Sequence, residues 1–394
     1  MRLLCILDHP TQYDPPLWAA LARRGVVEPE VWYGRTTAGR DPELGRGPHW
    51  SVGTSYARVV PDANVARRLR RLDGKPDAIL TAGWTRPRAW YAWRAARAVS
   101  IPVVLPSDKT LNEPSPRQPL RAILTIAHAY KARLFDGFFT TGSLGRVALL
   151  SVGVPLDRIT TGLYPVDVSW WQQQLALLKG EVATLRAAAR SQFVVLAVSK
   201  LHARENPLLV IEGFAELHAR LPASRLVFVG DGPMRRDVES RLLSLGIGQA
   251  VTLAGYVPYT QLAAYYGAAD VFVHVPKREP WGISVSEAMA CGLPVVASTA
   301  VGAAADLVVP GRTGYLVPPD DRSALTRALL SLAQGDGAEL AREYARRHVM
   351  CVDVETVAGR LEGLLKRLRA RRYGQPLGAV LADDLRNRWG RWSA

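Results

Sequence analysis

The chain has 394 residues, 48% of them hydrophobic and 22% charged, which is enough apolar side chain to build packed cores and excludes a disordered protein. At roughly 150 residues per domain this length fits two domains and not one small module. Fifty Lys+Arg against 35 Asp+Glu leave a net charge of +15, a field that draws phosphate-bearing partners and keeps nucleotide sugars, nucleic acids and anionic membrane surfaces open as ligands.

In chain order, short apolar runs rich in β-branched residues alternate with stretches of helical spacing. The first half offers strands at Leu3–Leu7, Glu30–Tyr33, Ala78–Thr81, Val103–Pro106 and Gly137–Thr140, with helices near 15–24, 86–99, 117–133 and 143–151. Tyr164–Ser191 reads as helix with no strand beside it and is the expected hinge. The second half repeats the rhythm, with strands at Phe193–Val198, Leu226–Val229, Val251–Leu253, Val271–Val275 and Val295–Ala297 and helices near 207–220, 233–245, 259–267, 283–291 and 321–333. Buried runs alternating with helices predict parallel sheets covered on both faces. From about Val352 a basic helix (GRLEGLLKRLRARR) leads into the tail RNRWGRWSA. The predicted organisation is an N-terminal domain over 1–165, a linker over 166–191, a C-terminal domain over 192–350, and a basic helix and Arg/Trp tail over 351–394 that packs back on the N-terminal domain.

Cys5, Cys291 and Cys351 are far apart and show neither CxxC nor Cys/His metal spacing, which argues against a zinc site or a disulfide framework and for a reducing, cytoplasmic setting. The opening apolar run, ending at Asp8 and His9, is too short for the core of a signal peptide. No run approaches the ~18 to 20 apolar residues of a transmembrane helix.

Residues 270–298, DVFVHVPKREPWGISVSEAMACGLPVVAS, read as a strand, a loop with Glu279, Pro280, Trp281 and Gly282, a helix with Glu287, and a second strand. First-turn N–H groups near Gly282, Ile283 and Ser284 have no intrahelical acceptor and, with the helix dipole, suit a phosphate. Glu287, about one turn in, suits the two hydroxyls of a ribose, and Glu279 suits sugar hydroxyls.

This stretch resembles the signature of retaining glycosyltransferases of family 4, which have the GT-B fold of two Rossmann-like parallel-sheet α/β domains facing across a cleft. AVSKLHARENPLLVIEGFAEL, LVFVGDGPMRRDVES, LAGYVPYTQLAAYYGAADVFVHVP and GAAADLVVPGRTGYLVPPDD resemble neighbouring segments of that family in its order, over roughly 193–335. The resemblance implies a nucleotide-sugar donor bound by Gly255–Val257 (base), Gly282, Ile283 and Ser284 (diphosphate) and Glu287 (ribose), with Glu279 beside the sugar. It puts Lys200 on the phosphates. Where relatives often have a second lysine this chain has Glu205, so that role passes to Arg204 with Glu205 turned aside.

The first half resembles the acceptor-side domain less specifically, through HPTQYDPPLWAALA, VWYGRTTAGRDPELGRGPHW, PDAILTAGW and IPVVLPSDKTLNEPSPR. His9, Ser107 and Asp108 follow predicted strands, at the carboxyl edge where open α/β sheets bind ligands, and His9 and Asp108 are the candidates. With no Asp-x-Asp at a strand end, transfer is expected to need no metal and no cofactor beyond the co-substrate. The resemblance implies retention by same-face attack, with Glu279 as covalent nucleophile the alternative. UDP is preferred to GDP as the nucleotide. The arm VARRLRRL, the stretch WTRPRAWYAWRAARA and the tail combine Arg with Trp, a composition suited to an anionic lipid surface. A lipid-linked acceptor in polysaccharide, lipopolysaccharide or glycolipid assembly, at the inner face of the plasma membrane, follows from that reading; a soluble natural-product acceptor is the rival. Epimerase or phosphorylase chemistry is a further alternative, and no nucleic-acid-binding motif is present.

Overall fold

The computed structural model describes residues 1–35, 55–109, 133–189, 192–335 and 338–372. Nearly all of the helix expected near 117–133, most of VWYGRTTAGRDPELGRGPHW and the Arg/Trp tail lie outside them. The chain divides into two compact units: one holds the described residues up to Pro165 together with the C-terminal helix Val354–Arg372, the other Val166–Asp353.

The first unit is a seven-stranded parallel sheet of β1 (Arg2–Leu7), β2 (Glu28–Tyr33), β3 (Ala57–Val59), β4 (Ala78–Thr81), β5 (Val103–Ser107), β6 (Gly137–Thr140) and β7 (Ile159–Thr161), in the order 3-2-1-4-5-6-7. Residues Leu3 to Ile6 of β1 are all buried because both faces of the sheet are covered, which explains the unbroken apolar run. Leu3 and Cys5 join one core with Leu17 and Leu21; Leu4 and Ile6 join the other with Val65, Leu69 and Ala92. The C-terminal helix completes the first of these cores. Val357, Ala358, Leu361, Leu364, Leu365 and Leu368, at helical spacing, lie against it. Two ion pairs clip its polar edge to the Asp14–Arg23 helix and its C-cap, Arg23–Glu355 at 2.6 Å and Arg24–Glu362 at 2.9 Å.

The second unit is a six-stranded parallel sheet of β8 (Phe193–Val198), β9 (Ser224–Val229), β10 (Val251–Gly255), β11 (Val271–His274), β12 (Val295–Ser298) and β13 (Gly314–Val317), in the order 10-9-8-11-12-13. The chain enters it at Val166 and leaves it at Asp353, and these two residues pair in a parallel bridge. The expected hinge helix is two helices, Val168–Leu177 and Lys179–Ala189, and both pack into this unit. Trp170 stacks on Tyr259 at 5.2 Å, and the fully buried Trp171 meets Tyr266 edge-on at 5.4 Å. Arg186 pairs with Asp270 at 2.6 Å, and the same carboxylate accepts from the backbone N–H of Val194 at the start of β8.

Candidate active site

In both sheets the strand order reverses beside the first strand, between β1 and β4 and between β8 and β11, and loops leaving the carboxyl ends of such a pair diverge and leave a crevice. In the second unit the loop after β8 carries Lys200 to Asn206, and the loop after β11 carries Val275 to Gly282. Gly230 makes room for the first of these: a Cβ there would lie 1.8 Å from the Ser199 carbonyl oxygen.

Gly282 precedes the Ile283–Ala290 helix with φ 88°, in the left-handed region where a side chain is strained. A Cβ would also stand 2.8 Å from Val301 Cγ1. The backbone thus turns abruptly into the helix, and its first-turn N–H groups, at Gly282 and the half-buried Ile283 and Ser284, point out of the helix end. Glu279 is anchored just before this turn by backbone bonds to Ala300 and Gly302. Both of its carboxylate oxygens accept hydrogen bonds, Oε1 from the Trp281 N–H at 3.2 Å and Oε2 from Arg204 Nη1 at 3.1 Å.

The other arm of that guanidinium, Nη2, donates to Glu205 Oε1 at 2.6 Å. Glu205, which the sequence reading turns aside from the phosphates, is only 6% exposed and is held against Arg204. The cause is electrostatic: a carboxylate leaving water needs a counter-charge, and the adjacent arginine supplies it. His274, the last residue of β11, completes the cluster. Burial lowers its pKa to about 4, with Glu279 raising it and Arg204 lowering it, so the ring is neutral at physiological pH, and its buried Nε2 has no hydrogen-bond partner among the described residues. Ligand-type atoms of Glu205, His274 and Glu279 lie within 4.8 Å of one another, a set that could hold a cation, but the Arg204 guanidinium rests on both carboxylates and neutralises the attraction.

Glu287 is 3% exposed. Its Oε2 accepts from the Tyr266 hydroxyl at 3.1 Å, while the buried Oε1 has no hydrogen-bond partner among the described residues. Burial raises the carboxyl pKa to about 7, against the pull of the Tyr266 and Tyr259 hydroxyls. Lys200 is half-buried in the loop after β8. Gly255 ends β10 in a left-handed conformation (φ 69°), its carbonyl accepting from Gly230 N–H at 2.7 Å, and Val257 is buried.

In the first unit His9 follows β1, half-buried, with its buried Nδ1 unpartnered among the described residues; burial, then Arg35, lowers its pKa. Asp108 follows β5 and is exposed. His274, Tyr259 and Tyr266 escaped the sequence reading. The signal for the tyrosines is their seven-residue spacing in LAGYVPYTQLAAYYG, two helical turns apart, just ahead of the strand that feeds the site.

Two Rossmann-like parallel sheets, with a helix N-terminus at a strand switch point of the second, define an α/β protein of GT-B architecture. Solved structures share that fold along nearly the whole chain. Anabaena HepE in complex with UDP superimposes with a TM-score of 0.69 at 17% identity, covering 92% of this chain and 98% of that one. Sucrose-phosphate synthase from Thermosynechococcus elongatus gives 0.66 at 22% identity, covering 94% and 100%. Residues 186–348 match the family model for glycosyl transferases group 1. The GDP-mannose-dependent alpha-(1-6)-phosphatidylinositol monomannoside mannosyltransferase of Mycolicibacterium smegmatis is 34% identical over 340 residues, 78% of this chain and 81% of that protein. D-inositol 3-phosphate glycosyltransferase 2 of Catenulispora acidiphila is 32% identical over 243 residues, 58% and 53% of the two chains. The chain belongs to the glycosyl transferases group 1 family and is a glycosyltransferase.

Proposed function

We propose that the protein transfers a hexose from a nucleotide sugar to an acceptor hydroxyl with retention of anomeric configuration and without a metal. The observation that carries this reading is the Gly282 turn, which aims a helix N-terminus at the space beside Glu279. Charge builds on the leaving diphosphate as the glycosidic bond breaks. Amide dipoles near Gly282, Ile283 and Ser284, with Lys200, meet that charge without having to reorganise, and the Arg204 cation reinforces them. This electrostatic set performs the work a metal does elsewhere. Glu279 orients the sugar hydroxyls. With both oxygens already accepting hydrogen bonds it is a poor nucleophile, which favours same-face attack, the leaving phosphate oxygen taking the acceptor proton. Glu287 would bind the ribose through Oε1, and Gly255 to Val257 the base. His9 and Asp108 would line the acceptor side.

UDP is the donor nucleotide preferred by the sequence reading, but a relative 34% identical over 78% of this chain is GDP-mannose-dependent by name, and this favours GDP-mannose as the first donor to test. That relative's name also specifies a phosphatidylinositol mannoside acceptor, which supports a lipid-linked polyol acceptor here. The Asp62–Arg70 helix exposes Arg67, Arg68 and Arg70, and the Pro87–Ala98 helix packed beside it exposes Tyr91, Arg94 and Arg97. The acid of the first helix, Asp62, is neutralised by the buried Arg88 at 2.5 Å. Such a face suits the anionic surface of a membrane carrying the acceptor. Among the described residues no helix is long and apolar enough to cross a membrane.

A donor screen across GDP-, UDP- and dTDP-sugars, reading nucleotide release and thermal stabilisation, tests the reading. One nucleotide sugar should stabilise the protein and be turned over in the presence of EDTA. No stabilisation and no release with any of them would refute it. Cosedimentation with phosphatidylinositol-containing vesicles should fall when Arg67, Arg68 and Arg70 are replaced by Ala.

A further inference from the structure

We infer that Glu205 is a positioning residue for Glu279, acting through Arg204: it holds one arm of the guanidinium so that the other arm fixes the carboxylate beside the donor sugar, and its charge weakens the grip on the diphosphate. The inference rests on the donor reading above and adds a residue that this reading leaves aside.

The guanidinium is a planar fork, so pinning one arm sets the direction of the other. Here one arm meets Glu205 at 2.6 Å and the other Glu279 at 3.1 Å. The turn carrying the pair is itself fixed. Glu205 N–H donates to the His202 carbonyl at 2.9 Å, Arg204 N–H to His202 Nδ1 at 3.2 Å, and the Arg204 carbonyl accepts from Lys277 N–H at 2.8 Å. Next to it Asn206, in a left-handed conformation (φ 58°), ties the turn to the Pro319 carbonyl at 2.7 Å through Nδ2.

Charge gives the second half of the inference. One arginine faces two carboxylates, and Glu205 is too buried to exchange its counter-ion for water. Were Arg204 to swing fully onto a diphosphate, both carboxylates would lose its charge-assisted hydrogen bonds, a costly loss for the buried Glu205. Arg204 therefore stays on the carboxylates and acts on the diphosphate through its charge. A cation at position 205 would have added to the phosphate field; the glutamate subtracts from it and fixes Glu279 instead.

Glu205→Gln removes the charge and keeps the shape and one acceptor oxygen. Calorimetric titration with GDP and UDP should show the Kd of whichever nucleotide the native protein binds falling by about fivefold, a single charge at several Å in a partly screened site. Donor kinetics should show kcat falling by about tenfold as Glu279 loses its fixed arm. Glu205→Asp, which keeps the charge and shortens the reach, should lower kcat without tightening the nucleotide, and it serves as the second variant if Glu205→Gln does not fold by thermal denaturation. In a Glu279→Gln background, Glu205→Gln should still tighten the nucleotide and leave kcat where Glu279→Gln alone puts it. Unchanged Kd and kcat in Glu205→Gln, or an equal loss of kcat in both backgrounds, overturns the inference. A native protein that binds neither nucleotide overturns the donor reading instead.

Discussion

Replacing Glu287 by Gln should stabilise the protein at neutral and alkaline pH and change little in acid. The carboxyl is buried beside Tyr266, and its pKa rises from 4.5 to about 7. At about 1.4 kcal/mol per pKa unit, ionising this group inside the fold costs about 3 kcal/mol. Between those two pH values the folded protein holds a proton that the unfolded chain has released, so stability falls as pH rises through the window and levels off above it. Below pH 4.5 both states are protonated and the stabilising contribution is fully present. Glutamine does not titrate and can still accept from the Tyr266 hydroxyl. Urea unfolding followed by tryptophan fluorescence, with Trp170 and Trp171 reporting on this unit, should therefore show Glu287→Gln gaining on the native protein by up to about 3 kcal/mol between pH 4.5 and 8. A stability difference that stays constant across that range would refute the reasoning. In the proposed donor site the same charge would have a use, since an ionised Oε1 would be a strong acceptor for a ribose hydroxyl.

Gly282→Ala forces a side chain into a left-handed turn and against Val301, and should cost about 1–3 kcal/mol in thermal denaturation and weaken nucleotide binding in a calorimetric titration. Trp171→Ala empties the fully buried site under Tyr266; about 3–5 kcal/mol should be lost in urea unfolding, and donor KM should rise because the tyrosine holding Glu287 is no longer supported. Lys200→Ala should lower kcat by about a hundredfold with a smaller change in KM, whereas Glu287→Ala should act mainly on donor KM; steady-state kinetics with varied donor separates the two.

The βα rhythm was legible because parallel strands covered on both faces are continuous apolar runs, as in Leu3–Leu7 and Phe193–Val198. Strands that rely on their neighbours were not. Ala57–Val59 carries one apolar pair around an arginine, Ile159–Thr161 is mostly threonine, and Gly314–Val317 starts on a glycine. The Asp62–Arg70 helix read as a basic arm because the large apolar side chains it brings to the sheet, Val65 and Leu69, are outnumbered by arginines and too few to show a periodic stripe. The linker read as one helix because the one break signal in WWQQQLALLKGEVATLRAAA, Gly180, lies just inside the second helix, and the tryptophans that dock the segment find tyrosines about ninety residues away. At the site, the spacing of Glu279, Gly282 and Glu287 was readable because a helix N-terminus is a local feature. The pairing of Glu205 with Arg204 was not: which neighbour a carboxylate finds is decided by the burial of the turn, which no local pattern encodes. His274 was hidden for the same reason, as its neutrality comes from burial at the strand end.

A structure of the protein bound to a nucleoside diphosphate tests the central claim most directly. The diphosphate oxygens should lie within hydrogen-bonding distance of the N–H groups of Gly282 to Ser284, with the ribose toward Glu287 and Lys200 at the phosphates. A diphosphate bound anywhere else on either unit, with that helix end facing solvent, would contradict the account.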